Sequence, residues 1–161
     1  MGAVFFYHLT EKPLEATLPA LLERARANEW RIEVRSGSLD KARLIDRMLW
    51  GGAPENFLPH GISGSTQDDD QPILLTGARE QGAVPSEGEF DCVMCVEGAR
   101  LSASEVMALE RACVIFDGAD PEALQAARGQ WKQLVADGCS AQYWAQEGGR
   151  WTMKAESISE P

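Results

Sequence analysis

Short apolar runs recur along this chain, and between them lie segments with helical periodicity. The runs are A-V-F-F-Y-H-L at 3–9, P-I-L-L-T at 72–76, F-D-C-V-M-C-V at 90–96 and C-V-I-F at 113–116. Runs this short and this continuously apolar read as strands buried on both faces rather than as helices. Between them, Leu14, Leu18, Leu21, Leu22 and Ala25 form one helical stripe, and Ala42, Ile45, Met48 and Leu49 form another. Strands that alternate with helices close most simply into a largely parallel sheet covered on both faces. The expected fold is therefore α/β: a single three-layer domain with a central, mostly parallel sheet, Rossmann-like in layout.

Local signals set the expected boundaries. Pro13 opens the first helix, which ends near Asn28, and W-R-I-E-V at 30–34 alternates as a strand with one side less buried. Ser38 caps a helix from Leu39 to about Trp50, and residues 51–71 read as surface loop around a short extended piece at Phe57-Leu58. Residues 77–89 are polar and Gly-rich, a second loop. A short helix follows from Ser102 to Arg111, capped by Ser102 or Ser104. Asp120-Pro121-Glu122 opens the last long helix, which runs to about Asp137 with Gly138 as its stop. Residues 141–145 and 150–153, around Gly148-Gly149, read as a closing strand pair. The domain is expected to span 1–154, with 155–161 as a frayed tail.

Several chemistries lack their minimum parts. No G-x-G-x-x-G follows the first strand, where the chain reads H-L-T-E-K-P-L, and no Walker sequence occurs. The two histidines, His8 and His60, have no Gly-flanked nucleophile elbow to serve. His8 reads as structural, and Asp68-Asp69-Asp70 reads as a solvated loop rather than a metal site. Cys92 and Cys95 have redox-motif spacing, but within a strand residues three apart point to opposite faces. Together with Cys113 and Cys139 they read as reduced structural thiols. No cofactor, metal or catalytic residue is expected. A net charge of −10 opposes direct wrapping of nucleic acid, so any anionic partner has to meet a local basic patch. The N-terminus has no signal-peptide pattern and no run approaches the roughly 18 apolar residues of a membrane helix, so the expected location is the cytoplasm, without membrane contact.

Two stretches invite a binding role. A-A-R-G-Q-W-K at 126–132 places Arg128, Trp131 and Lys132 on neighbouring ground of a helix. On a wheel, Leu124, Ala127, Trp131, Leu134 and Val135 share an arc that Arg128 and Lys132 flank. This is either a grip for something negative and apolar or a core Trp with two solvated cations. Trp50, Phe57, Leu58, Pro59 and His60 form an aromatic group in a Gly-Pro loop, either a partner surface or plugs that anchor the loop.

F-F-Y-H-L-T with K-P-L-E, then R-M-L-W, F-L-P-H-G, I-F-D-G-A-D-P-E-A and Q-W-K follow one another from residue 5 to 132. In this order the chain resembles the chi subunit family of bacterial DNA polymerase III holoenzyme, from about residue 4 to 145. The resemblance implies a small α/β domain with a nucleotide-binding-like fold that has lost nucleotide chemistry and works in the clamp-loader assembly. It implies two partners: the psi subunit, and the acidic C-terminal tail of single-stranded-DNA-binding protein, which ends in an apolar, Phe-terminated carboxylate. DNA is then met mainly indirectly. The family's tail-binding positions fall here on Arg128, Trp131 and Lys132, with Leu124 where a further cation belongs. Psi or part of the tail site are the partners considered for the group from Trp50 to His60. The implied role is a non-catalytic accessory subunit; a diverged nucleotide- or metal-dependent enzyme, or an interaction domain outside replication, is the alternative.

Overall fold

The computed structural model describes residues 3–50, 61–62, 72–77, 90–96 and 98–157. Its elements are β1 (Ala3–Leu9), α1 (Leu14–Ala27), β2 (Ile32–Arg35), α2 (Leu39–Trp50), β3 (Gly61–Ile62) and β4 (Ile73–Thr76), followed by β5 (Cys92–Cys95), α3 (Ala103–Ala108), β6 (Arg111–Asp117), α4 (Pro121–Ala136), β7 (Ser140–Glu147) and β8 (Arg150–Ser157). The strands form one sheet in the order β3-β4-β2-β5-β6-β1-β7-β8. Every neighbouring pair is parallel except β7 and β8, which form an antiparallel hairpin.

Alternate residues of the central strands feed two separate cores. Val4 and Phe6 of β1, Val93 and Cys95 of β5, and Val114 and Phe116 of β6 pack with Val106 of α3 and Ala127 and Leu134 of α4. Met94 and Cys92 of β5 and Cys113 and Ile115 of β6 pack with Leu18, Leu21 and Leu22 of α1 and Ala42 and Ile45 of α2. Both faces of the central strands are thus buried, which is why those strands read as unbroken apolar runs. Cys92 and Cys95 fall in different cores, and all four cysteines are free and buried.

The caps follow local chemistry. Asp120 Oδ1 accepts from the backbone N–H groups of Glu122 and Ala123, with Pro121 in the first turn of α4. Gly138, at φ 94°, supplies the left-handed residue that ends the helix. Ser102 and Glu105 form a capping box at α3.

Four sequence expectations change. β2 is not half-exposed: Ile32, Glu33, Val34 and Arg35 are all buried, because Glu33 and Arg35 pair inside the fold. α3 stops at Ala108, three residues early, since Arg111 is already the first residue of β6. A two-residue strand at Gly61–Ile62 was not anticipated, and Phe57-Leu58 lies outside the described residues. Residues 155–157, assigned to a frayed tail, belong to β8, where Ser157 pairs with Ala141. Among the described residues no helix is long and apolar enough to cross a membrane.

Candidate functional site: the outer face of α4 and the loop after β1

α4 lies on the sheet with Ala127 and Leu134 buried and with Leu124, Trp131 and Val135 packed at the edge of the same core. This is the arc expected from the wheel. The Trp131 indole meets Phe6 edge-on at 5.4 Å and Tyr143 at 6.2 Å, so two strands fix its orientation. Arg128, three residues before Trp131, and Lys132, one residue after it, are exposed and form a neighbouring i, i+4 pair along one side of the indole. The structure therefore brings Arg128, Trp131 and Lys132 together on one helix face. Leu124 is part of the core edge and contributes no charge there.

Three residues beside this face were not singled out for binding by the sequence. The His8 ring stacks on Phe116 at 5.0 Å, and His8 Nδ1 lies 2.7 Å from the Tyr143 hydroxyl. A Cβ at Gly118 would sit 2.0 Å from His8 Nε2, so only glycine leaves room for this ring. Burial lowers the His8 pKa, the Arg128 charge lowers it further, and Asp117 partly offsets both. His8 is thus held toward its neutral form, able to share a proton with Tyr143. Burial raises the Tyr143 pKa while Arg128 works against that rise. Arg128 accordingly sits within electrostatic reach of a ring cluster formed by His8, Phe116, Tyr143 and Trp131. No local pattern announces this cluster, because His8 and Tyr143 are 135 positions apart.

Trp50 closes α2, while Phe57, Leu58, Pro59 and His60 lie outside the described residues, as do Asp68, Asp69 and Asp70.

The loop after β1 is where folds of this layout hold an anionic ligand on backbone N–H groups. Here the N–H groups of Thr10, Glu11 and Lys12 all donate to one acceptor, the side-chain oxygen of Gln146, at 3.0, 2.9 and 3.0 Å. The Thr10 hydroxyl donates to the Gln146 backbone carbonyl at 2.7 Å. Gln146 is buried, and its amide nitrogen donates to the Thr17 hydroxyl on α1. Three convergent N–H groups are an anion-binding concavity; this chain fills it with its own amide.

These features define an α/β protein of nucleotide-binding layout whose first-loop cradle is occupied from within and whose last helix presents an aromatic side chain beside two cations. The family model for the DNA polymerase III chi subunit, HolC, matches residues 1–142, and the chain belongs to that family. It is thus an accessory subunit of DNA polymerase III, acting in DNA replication. No curated protein matches the chain. The matched span ends inside β7, leaving most of β7 and all of β8 beyond it.

Proposed function

We propose that this subunit is a non-catalytic adaptor that binds the acidic C-terminal tail of single-stranded-DNA-binding protein on α4, with psi or another clamp-loader component on a second surface. The observation that carries the reading is the exposed pair Arg128 and Lys132 beside Trp131, whose ring is held by Phe6 and Tyr143. A tail ending in an apolar residue and a free carboxylate needs an aromatic wall and a guanidinium that can donate twice. Trp131 supplies the wall, Arg128 takes the terminal carboxylate, and Lys132 meets the aspartates before it. Lys132, a hydrated point charge, contributes less and more salt-sensitively than Arg128. The group Trp50, Phe57, Leu58, Pro59 and His60 is proposed as the second partner surface. The amide-filled cradle after β1 supports the loss of nucleotide chemistry.

Fluorescence anisotropy of a labelled tail peptide tests the site. Arg128→Ala should weaken binding by about tenfold or more, as expected for loss of a charge-assisted hydrogen bond of about 1.5–3 kcal/mol. Lys132→Ala should weaken it by a few-fold, and less as salt rises. Unchanged affinity in Arg128→Ala removes the tail from α4. For the second surface, Trp50→Ala should abolish co-purification with clamp-loader subunits, and retention at the wild-type level overturns that assignment.

A further inference from the structure

The opposite face of the sheet carries a different constellation. α1 covers β1 on that face but leaves the β7–β8 hairpin beside it open, and two adjoining hollows of about 220 and 420 Å3 run between helix and hairpin. They share Leu21, Arg24, Trp144 and Trp151. Trp144 projects from β7 on this face, opposite Met153 of β8, which is 44% exposed, and Gln146 pairs with Trp151. Trp151 rests edge-on against Tyr7 at 4.9 Å, and Trp30 closes the far end. All three indoles are partly exposed.

Cations gather along the same groove in an otherwise acidic protein. Arg111 holds its guanidinium 4.4 Å from the Phe5 ring and 5.1 Å from the Trp30 ring. Such stacking leaves the N–H edge of the guanidinium free for an anion. Arg24 lies mid-groove, and Lys12 and Arg150 stand at the other end. Among the described residues none of these four side chains makes an ion pair. Glu11 is the only carboxylate among the described residues lining either hollow, and the Gly149 N–H already donates to it.

We propose that this groove binds single-stranded nucleic acid, with bases stacked on Trp144 and Trp151 and phosphates held by Arg24, Arg111, Lys12 and Arg150. Flat indole faces interleaved with cations suit a strand that offers aromatic bases and one charge per nucleotide. An acidic peptide fits less well: the walls are the flank of a helix and the face of a sheet, whose backbone groups are already paired, so its main chain would find no partners. The groove depends largely on residues beyond the family-matched span, since Trp144, Arg150 and Trp151 all lie past residue 142. It is separate from the α4 site and goes beyond the tail-binding reading, because it lets the subunit touch the strand itself.

The test is an anisotropy titration of a labelled oligothymidylate of about 15 nucleotides with the full chain, at about 50 and about 200 mM salt. The expected Kd is about 10–100 µM at the lower salt, weakening with a log–log slope of about −2 to −3, as the counterions displaced by neutralising three or four phosphates predict. Arg24→Glu should reduce affinity by about tenfold with little change in the melting temperature, because the Arg24 side chain is exposed and makes no ion pair or hydrogen bond among the described residues. Trp144→Leu should reduce it by about fivefold, as loss of one stacked base predicts. Arg128→Glu should leave oligonucleotide affinity unchanged while abolishing tail-peptide binding, which separates this proposal from the adaptor reading. No anisotropy change at about 500 µM protein overturns the proposal, as does binding that Arg24→Glu and Trp144→Leu leave intact. Binding of a polyglutamate peptide in place of the oligonucleotide, or burial of this face in a dimer seen by sedimentation, overturns it equally.

Discussion

Arg35 holds two carboxylates inside the fold. Its Nη2 lies 2.6 Å from Glu105 Oε2 and its Nε 3.2 Å from Glu33 Oε2, while Nη1 donates to the Arg100 carbonyl. The Thr76 hydroxyl adds a donation to Glu33 at 2.6 Å. The three ionic side chains are 2%, 0% and 6% exposed for Arg35, Glu33 and Glu105. Burial works against the Arg35 charge, but its hydrogen bonds to Glu105 and Glu33 outweigh that and raise its pKa. Replacing Arg35 with Met leaves two buried carboxylates without their cation, and should cost about 3–5 kcal/mol in urea unfolding. A loss below about 1 kcal/mol would mean that water or rearrangement satisfies them. The alternation in W-R-I-E-V suggested a solvent-facing side because a charged residue in a strand ordinarily marks one. The partner that reverses this, Glu105, is 70 positions from Arg35 and invisible to any local pattern.

Among the elements, the connection from β1 to α1 is held by the far end of the chain. Gln146 of β7 closes the three N–H groups of Thr10, Glu11 and Lys12 and also reaches Thr17 on α1. Gln146→Ala strands those donors and should lower stability by about 1–3 kcal/mol in chemical denaturation. It should leave tail-peptide affinity unchanged, because the Gln146 side chain reaches the loop after β1 and α1, whereas α4 packs on β6 and β7 in the core on the other face of the sheet. Where a helix keeps to its own caps and stripe, as α4 does between Asp120 and Gly138, the sequence placed it within a residue. α3 was misjudged in length because β6 competes for Arg111, and pairing with β5 across Cys92 decides that contest. β3 at Gly61–Ile62 is too short to show any periodicity; only its pairing with β4 makes it a strand.

At the scale of the molecule, the four thiols report on both cores at once. Cys95 and Cys139 lie in one and Cys92 and Cys113 in the other. Burial raises the Cys95 and Cys139 thiol pKa values, and a hydrogen bond with Cys92 together with burial raises that of Cys113. A thiolate reagent at mildly alkaline pH should therefore find no reactive cysteine in the native protein and all four in denaturant. One or two thiols reacting quickly in the native state would show a core that opens locally. The layered α/β architecture, the buried thiols and the grouping of Arg128, Trp131 and Lys132 on one face were determined by the sequence alone. Each rests on short-range periodicity or spacing, which fixes what neighbours along a helix or strand can share. The filled cradle at Gln146, the buried charges around Arg35, the contact of His8 with Tyr143 and the cationic aromatic groove were decided only by tertiary structure. Lys12, Arg24, Arg111 and Arg150 are scattered through a chain of net charge −10, and no linear pattern marks them as a group. The sheet order lays β7 beside β1 and sets the β7–β8 hairpin across a groove from α1, and that long-range juxtaposition gathers them on one surface.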